Sequence, residues 1–326
     1  MKRLDRERLT RQLLSLGALV GLFALLNLTI FFTFTRRCIP TTGEGMQAKS
    51  VELTDYLPFT EGSKIVNLEA SLKLTEDLPI IDGAAALYPV FSGFVNAVYP
   101  ADSVHFDGES FTADSALRYS NTRGAYQGIV DGTVDIAICV APSKEQLDYA
   151  AERGVELVFT PIGRDAFVFL VNRDNPVDGL TVEQVKGIYA GQYTRWSQVG
   201  GDRTPIAALQ RNTGSGSQSA LLNFMGDTPV KTSPFTFLGR SIGFSFRFYV
   251  EDIAESAASG GVKMLALDGV YPSVENIRNG AYPIVSDFYA VTRKGETNPN
   301  VALFVEWMTS EEGRAIVEGS GYVGVE

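Results

Sequence analysis

The chain opens on one long apolar run and then settles into an alternation of short apolar stretches with amphipathic ones. Leu13 to Phe34, LLSLGALVGLFALLNLTIFFTF, carries no charged side chain over 22 residues. As a helix it can cross about 30 Å of hydrocarbon. A secretory leader has a shorter apolar stretch that ends in small residues. This run ends in bulky residues followed by Arg36 and Arg37, which favours an uncleaved anchor over residues 13–35. Lys2, Arg3, Arg6, Arg8 and Arg11 precede it, while only Arg36, Arg37 and Lys49 follow closely. The excess places a short tail, residues 1–12, in the cytoplasm and the large domain on the extracellular side of the cell membrane, as a single-pass protein. Cys38 follows the run, but a lipidation site needs small residues where Arg36 and Arg37 stand. Residues 36–76, with Pro40, Gly43, Gly45, Pro58 and Gly62, read as a linker and an arm (YLPF, KIVNL) that packs on the domain.

From Leu78 onward the pattern predicts strands at LPIID, SVHF, VDIAICV, VELVF and AFVFLVN. Between them, helices are predicted at YPVFSGFVNAVYP, TRGAYQGIVDG and SKEQLDYAAERG, the last with Ser143 as N-cap and Gly154 just past its end. A second block repeats the alternation: TVEQVKGIYAG, PIAALQ, SQSALLNFMG, IGFSFRFY. FYAVTR and NVALFVEWMTSEEGRAIVEGSG close the chain as a strand and a helix. Short apolar strands alternating with helices predict an α/β fold with a largely parallel sheet. Two such blocks and a return segment predict two lobes: residues 77–161 with 283–326, and residues 162–282. The groove between lobes is a favoured ligand site.

Composition narrows the chemistry. Hydrophobic residues at 45% and aromatics at 11% suit a packed domain rather than disorder. Residues 1–37 carry a net charge of +5, so the overall −10 leaves −15 on the rest. A domain this acidic is a poor nucleic-acid partner, and it attracts an anion only through local dipoles in a sheltered cleft. A single histidine, His105, and two separated cysteines, Cys38 and Cys139, argue against a His/Cys zinc site and a Ser-His-Asp triad. No metal, cofactor or catalytic residue is expected. Cys139, in an apolar strand, reads as a core residue, as do Tyr88, Phe91, Phe94, Tyr99, Trp196 and Trp307.

Three loops carry candidate anion chemistry. Arg211-Asn212-Thr213-Gly214-Ser215-Gly216-Ser217-Gln218 lies between a predicted strand and a predicted helix. A helix start offers unpaired N–H groups at its positive end, and Ser215, Gly216 and Ser217 would supply them. Ser215 and Ser217 add hydroxyls, and Arg211 adds a planar, permanently charged fork. The alternative is an ordinary N-cap with Arg211 on the surface. The loop has no Gly-Lys-Ser/Thr ending, so it is not a phosphate-binding loop of the nucleotide-hydrolase type. Asp82-Gly83-Ala84-Ala85-Ala86-Leu87 is a second strand-to-helix turn with backbone donors but no hydroxyl. Ser120-Asn121-Thr122-Arg123-Gly124 is the third, where Thr122 reads as either an N-cap or a ligand hydroxyl, and Arg123 as an added charge or a solvent-facing side chain.

With these motifs in place, the chain resembles the PstS-like phosphate-binding proteins of ABC transporters, from about Tyr56 onward. The resemblance rests on DGAAALYPVF, NTRGAYQGIVDGTVDIAICVAPS, FVFLVNRDNPVDGLTVEQVKGIYAGQYTRWSQVGG and LQRNTGSGSQSALL. It implies a two-lobed periplasmic-binding-protein fold of type II, closing on its ligand like a hinged clamp. It implies a monomer that captures inorganic phosphate or a similar oxyanion and delivers it to ABC permease subunits, with no enzymatic activity. The implied ligand positions are Arg211, Ser215, Gly216, Ser217 and Thr122, with the backbone of Ala85, Ala86 and Leu87. Ala84 and Ala85 stand where the family has Ser or Thr. Val140 and Thr213 fill slots where it has acidic residues, and Asp82 is a candidate substitute acceptor. Those departures leave open a receptor for another oxyanion, or a membrane-anchored sensor or scaffold of the same fold.

Overall fold

A computed structural model describes residues 2–37, 51–213, 215–231, 240–248, 250 and 261–325. Cys38, the tether to residue 50 and Gly214 lie outside the described residues. The apolar run forms the middle of helix α1 (Lys2–Arg37), whose side chains from Leu13 to Ile30 are all exposed, at a mean hydropathy of 2.2. It is long and apolar enough to cross a membrane, properties it shares with signal sequences near an N-terminus.

The strands are β1 (Ile81–Gly83), β2 (Ile136–Val140), β3 (Leu157–Asn172), β4 (Gly179–Leu180), β5 (Ile206–Ala208), β6 (Arg240–Phe246), β7 (Val262–Met264), β8 (Ala266–Leu267), β9 (Val285–Arg293) and β10 (Val323–Gly324). Eight of them form one sheet in the order β1-β2-β9-β3-β6-β5, with β7 and β10 also paired to β3. The expected α/β class is present, but the sheet is mixed rather than largely parallel. Only β1–β2 and β5–β6 pair in parallel within it, whereas β9 runs antiparallel to both β2 and β3, and β6 antiparallel to β3. The reason lies in β3. VELVF and AFVFLVN, read as separate strands, are one strand of 16 residues with a register shift between Pro161 and Gly163. Its residues Leu157 to Ala166 pair with β9, and Phe167 to Val171 pair with β6. One backbone therefore serves both halves of the sheet.

The helices are α2 (Tyr88–Val98), α3 (Asn121–Asp131), α4 (Lys144–Glu152), α5 (Val182–Tyr189), α6 (Gly216–Met225), α7 (Val274–Arg278), α8 (Pro299–Met308) and α9 (Glu311–Gly319). Local sequence sets their ends. Ser143 caps α4 in a reciprocal pair with Gln146, and Thr181 does the same for α5 with Gln184. Two further expectations fail. SVHF makes no strand, only an isolated bridge from Phe106 to Phe111, and the half-exposed His105 pairs with Asp114 at 2.9 Å. The closing helix is two, because the Ser310 hydroxyl accepts from Gly313 N and starts α9 afresh.

Leu53, Tyr56 and Phe59 bond to side chains of α2. The Tyr88 hydroxyl donates to the Leu53 carbonyl, the Ser92 hydroxyl to that of Tyr56, and Phe59 N to Asn96 Oδ1. Cys139, Tyr88, Phe91, Phe94, Tyr99, Trp196 and Trp307 are buried, in keeping with a core role. Phe167 is fully buried at the point where β3 changes partners, in edge or tilted contact with Phe169, Phe244 and Phe246. Replacing Phe167 with Ala is expected to lower the unfolding free energy by about 3–5 kcal/mol through cavity formation. Denaturant titration of the two proteins checks this; a loss below about 1 kcal/mol would contradict the packing described.

Candidate functional site

The first loop is shaped by a lack of room. A Cβ on Gly83 would meet the Ile138 carbonyl oxygen and the Phe91 ring at 2.6 Å, so only glycine fits at the end of β1. Ala84 N then donates to that same Ile138 carbonyl at 2.9 Å, and a single turn of 3₁₀ helix, Ala85–Leu87, leads into α2. The first amides of such a turn have no partner within it and point away from its start. The Tyr322 hydroxyl, from the chain's last described turn, donates to the Ala86 carbonyl and fixes the loop from the far side.

Asp82 governs the second loop. It is 2% exposed, and its carboxylate accepts from Gly83 N at 2.7 Å, Ser120 N at 2.9 Å and the Ser120 hydroxyl at 2.5 Å. Ser120, not Thr122, therefore occupies the N-cap position of α3, with its hydroxyl turned to Asp82 rather than to the helix amides. Asn121 takes a left-handed φ of 63°, and Thr122 follows within the first turn, buried. The Arg123 side chain is mostly exposed, with Glu145 at 4.0 Å.

The third loop is held by its own residues. Arg211 N donates to Gln218 Oε1 at 2.8 Å, and the Ser215 hydroxyl accepts from Gln218 N at 3.2 Å. Arg211 Nη1 lies 3.4 Å from the Ser217 hydroxyl, so the guanidinium lies over the start of α6. Gly216 comes so close to the other half of the sheet that a Cβ there would lie 3.0 Å from Thr122 Oγ1 and 3.3 Å from Val140 Cγ2.

The three loops meet. Ala85, Ala86, Leu87, Thr122, Arg123, Arg211, Ser215, Gly216 and Ser217 all line one cavity of about 240 Å3. This is below the range of about 300–1,000 Å3 usual for drug-sized ligands, and it suits a small guest. Asp82 is the exception: it does not line the cavity, because Ser120 and Gly83 hold it behind the first two loops. The carboxylate that does line it is Asp165, on β3 next to the partner switch. Asp165 is 4% exposed, accepts from Ala166 N and Phe248 N, and lies 3.8 Å from Arg247 Nε, whose Nη2 donates to the Gly321 carbonyl. Ser245, Phe246 and Tyr322 also line the cavity. Asp165 could have been noticed as an acid directly before an apolar strand run. Tyr322 carries no local signal, since only the fold brings it to Ala86. Among the described residues no cluster of three or more His, Cys, Asp or Glu side chains could hold a metal ion.

The family profile of the PBP superfamily domain matches residues 80–312, more than half of the chain. The chain belongs to the PBP superfamily. Similar proteins include the phosphate-binding protein PstS of Borreliella burgdorferi, 26% identical over 206 residues, which are 56% of this chain and 69% of that one. Protein SphX of Synechococcus elongatus is 26% identical over 261 residues, 72% and 73% of the two chains. A substrate-binding protein from Clostridium perfringens, solved with bound phosphate, superposes with a TM-score of 0.55 at 22% identity, over 78% of this chain and all of that one. An ABC-type phosphate transport receptor from Vibrio cholerae gives 0.54 at 18% identity over the same shares. These superpositions show the shared PBP fold.

In this PBP domain Asp82 leaves a titration signature. Burial pushes its carboxyl above the usual 3.8, against the pull of the Ser120 and Gly83 hydrogen bonds and the Arg118 charge. The folded chain thus holds this proton more tightly than the unfolded chain, so Asp82's share of stability falls as pH rises from 3.8 through the raised value. In Asp82→Asn that fall disappears. The difference in unfolding free energy, wild type minus variant, is expected to decrease with rising pH over this window. Denaturant titrations at stepped pH check it, and a difference that grows with pH would overturn the assignment.

Proposed function

We propose that the chain captures inorganic phosphate, or a close tetrahedral oxyanion, in the cleft between two lobes, and serves as the extracytoplasmic binding component of an ABC importer. The lobes are residues 77–161 with 283–326, and residues 162–282. One observation carries the reading: helix starts from both halves of the sheet, with Arg211 over one of them, share a single small cavity. Each start presents unpaired amides at the positive end of a helix, an arrangement that takes a compact anion without help from net charge. The buried carboxylate in the lining, Asp165, has Arg247 beside it, which offsets its repulsion of an anion.

The names of the relatives support the ligand. PstS proteins of several bacteria and the Vibrio cholerae receptor are described as phosphate-binding or phosphate-transporting. The permease partners, the monomeric state and the lack of enzymatic turnover rest on the same likeness. Helix α1 is read as an uncleaved anchor with its N-terminus in the cytoplasm, because basic residues gather on the N-terminal side of the apolar run.

Isothermal titration of the full chain in detergent, with phosphate and with sulfate, tests the ligand; heat with sulfate alone would reject phosphate. Arg211→Ala is expected to weaken phosphate binding by about 2–4 kcal/mol, since the anion loses its charged, forked partner. Unchanged affinity in that variant would place the site elsewhere. Thr122→Ala is expected to cost about 1 kcal/mol, one hydrogen bond to the anion, in the same titration. A larger loss than that of Arg211→Ala would contradict the ranking.

A further inference from the structure

We infer that the cavity accepts tetrahedral phosphorus anions in which one oxygen is replaced by a short alkyl group or capped by a methyl group, namely small alkylphosphonates and methyl phosphate, as well as phosphate itself. This inference rests on the oxyanion reading above and concerns how the rest of the cavity is furnished.

The lining of the cavity mixes apolar side chains with the polar groups. At the start of α6, the two nearest groups from the other half of the sheet are the Thr122 hydroxyl and a Val140 methyl, at 3.0 and 3.3 Å from where a Cβ on Gly216 would lie. An anion seated on the Gly216 and Ser217 amides therefore has both a hydroxyl and a hydrocarbon group close by. The first loop adds the side chains of Ala84, Ala85 and Ala86, none of which can donate or accept, and Leu87 and Phe246 extend the apolar lining. Two of the polar lining groups are already engaged within the protein. The Tyr322 hydroxyl serves the Ala86 carbonyl, and Asp165 serves two backbone amides with Arg247 beside it.

Size points the same way. Liquid water occupies about 30 Å3 per molecule. A cavity of about 240 Å3 leaves room around a five-atom ion. A phosphate oxygen turned toward Val140, Leu87 and Phe246 gives up water and gains no partner, a penalty of roughly ten- to a hundredfold in affinity. Carbon in place of that oxygen has no hydrogen bond to lose, and a methyl group gains from burial against the same wall.

Competition titration of the full chain in detergent, with phosphate, methylphosphonate and methyl phosphate, tests the inference. Methylphosphonate or methyl phosphate is expected to bind within about tenfold of phosphate. Which of the two binds better tells whether the wall prefers a phosphonate or an ester. If phosphate binds and neither substituted anion competes at about a hundredfold excess, the inference fails while the phosphate reading stands. If neither phosphate nor the substituted anions bind, the oxyanion reading fails and takes this inference with it. Val140→Thr keeps the side-chain shape and adds a hydroxyl to the wall. It is expected to shift the affinity ratio about tenfold toward phosphate and away from methylphosphonate. An unchanged ratio in a folded variant would contradict the inference.

Discussion

Hydrogen bonding along β3 binds the two halves of the sheet to a single backbone. The strand gives its first stretch to β9 and its second to β6, and the change falls between Ala166 and Phe167. Several groups that frame the cavity are placed by this strand. Asp165 sits one residue before the change, Phe246 pairs with Phe167 just after it, and β10, pairing with Arg164 and Gly163, brings Tyr322 alongside. One continuous strand, buried from Ile162 onward except at Arg164, thus serves both halves of the sheet. A Cβ on Gly216 would lie within 3.3 Å of both Thr122 and Val140, so the two halves approach each other closely there.

The second constraint is electrostatic. Outside the N-terminal segment the chain is strongly acidic, so its long-range field disfavours anions. The cavity works against that field by short-range means. Backbone amides at helix starts are neutral groups with fixed direction, and they need no counter-ion. Arg211 supplies a full positive charge; its backbone N–H donates to Gln218 Oε1, and its guanidinium lies beside the Ser217 hydroxyl. Asp165, with Arg247 beside it, presents to the cavity a dipole more than a charge.

Much of this was legible in the sequence. The glycine-serine loop after PIAALQ, the alanine turn after the first strand and the Thr122 turn each show the change from short apolar strand to helix that creates a helix start. All three reach the cavity. The helix ends were legible wherever a side chain caps its own backbone, as with Ser143 and Gln146. Strand direction was not, because an apolar strand looks the same whichever way its neighbour runs. Placing β9 between β2 and β3 depends on contacts across half the chain. Asp82 illustrates a subtler limit. Its position after a strand suggested the cleft, but Ser120 sits close enough to claim it, and hydrogen bonds within the protein turn it inward. Tyr322 reaches the cavity only because β10 pairs with β3, which no local pattern encodes.

The late insertion of β9 and Tyr322 bears on how the protein matures. During synthesis β1, β2 and the first two loops emerge long before the strand that separates β2 from β3. Until Val285–Arg293 arrives, β2 exposes one edge, and until Tyr322 arrives the Ala86 carbonyl lacks its clasp. The cavity is therefore among the last parts of the molecule to be finished, since two of the elements that complete it stand near the end of the chain.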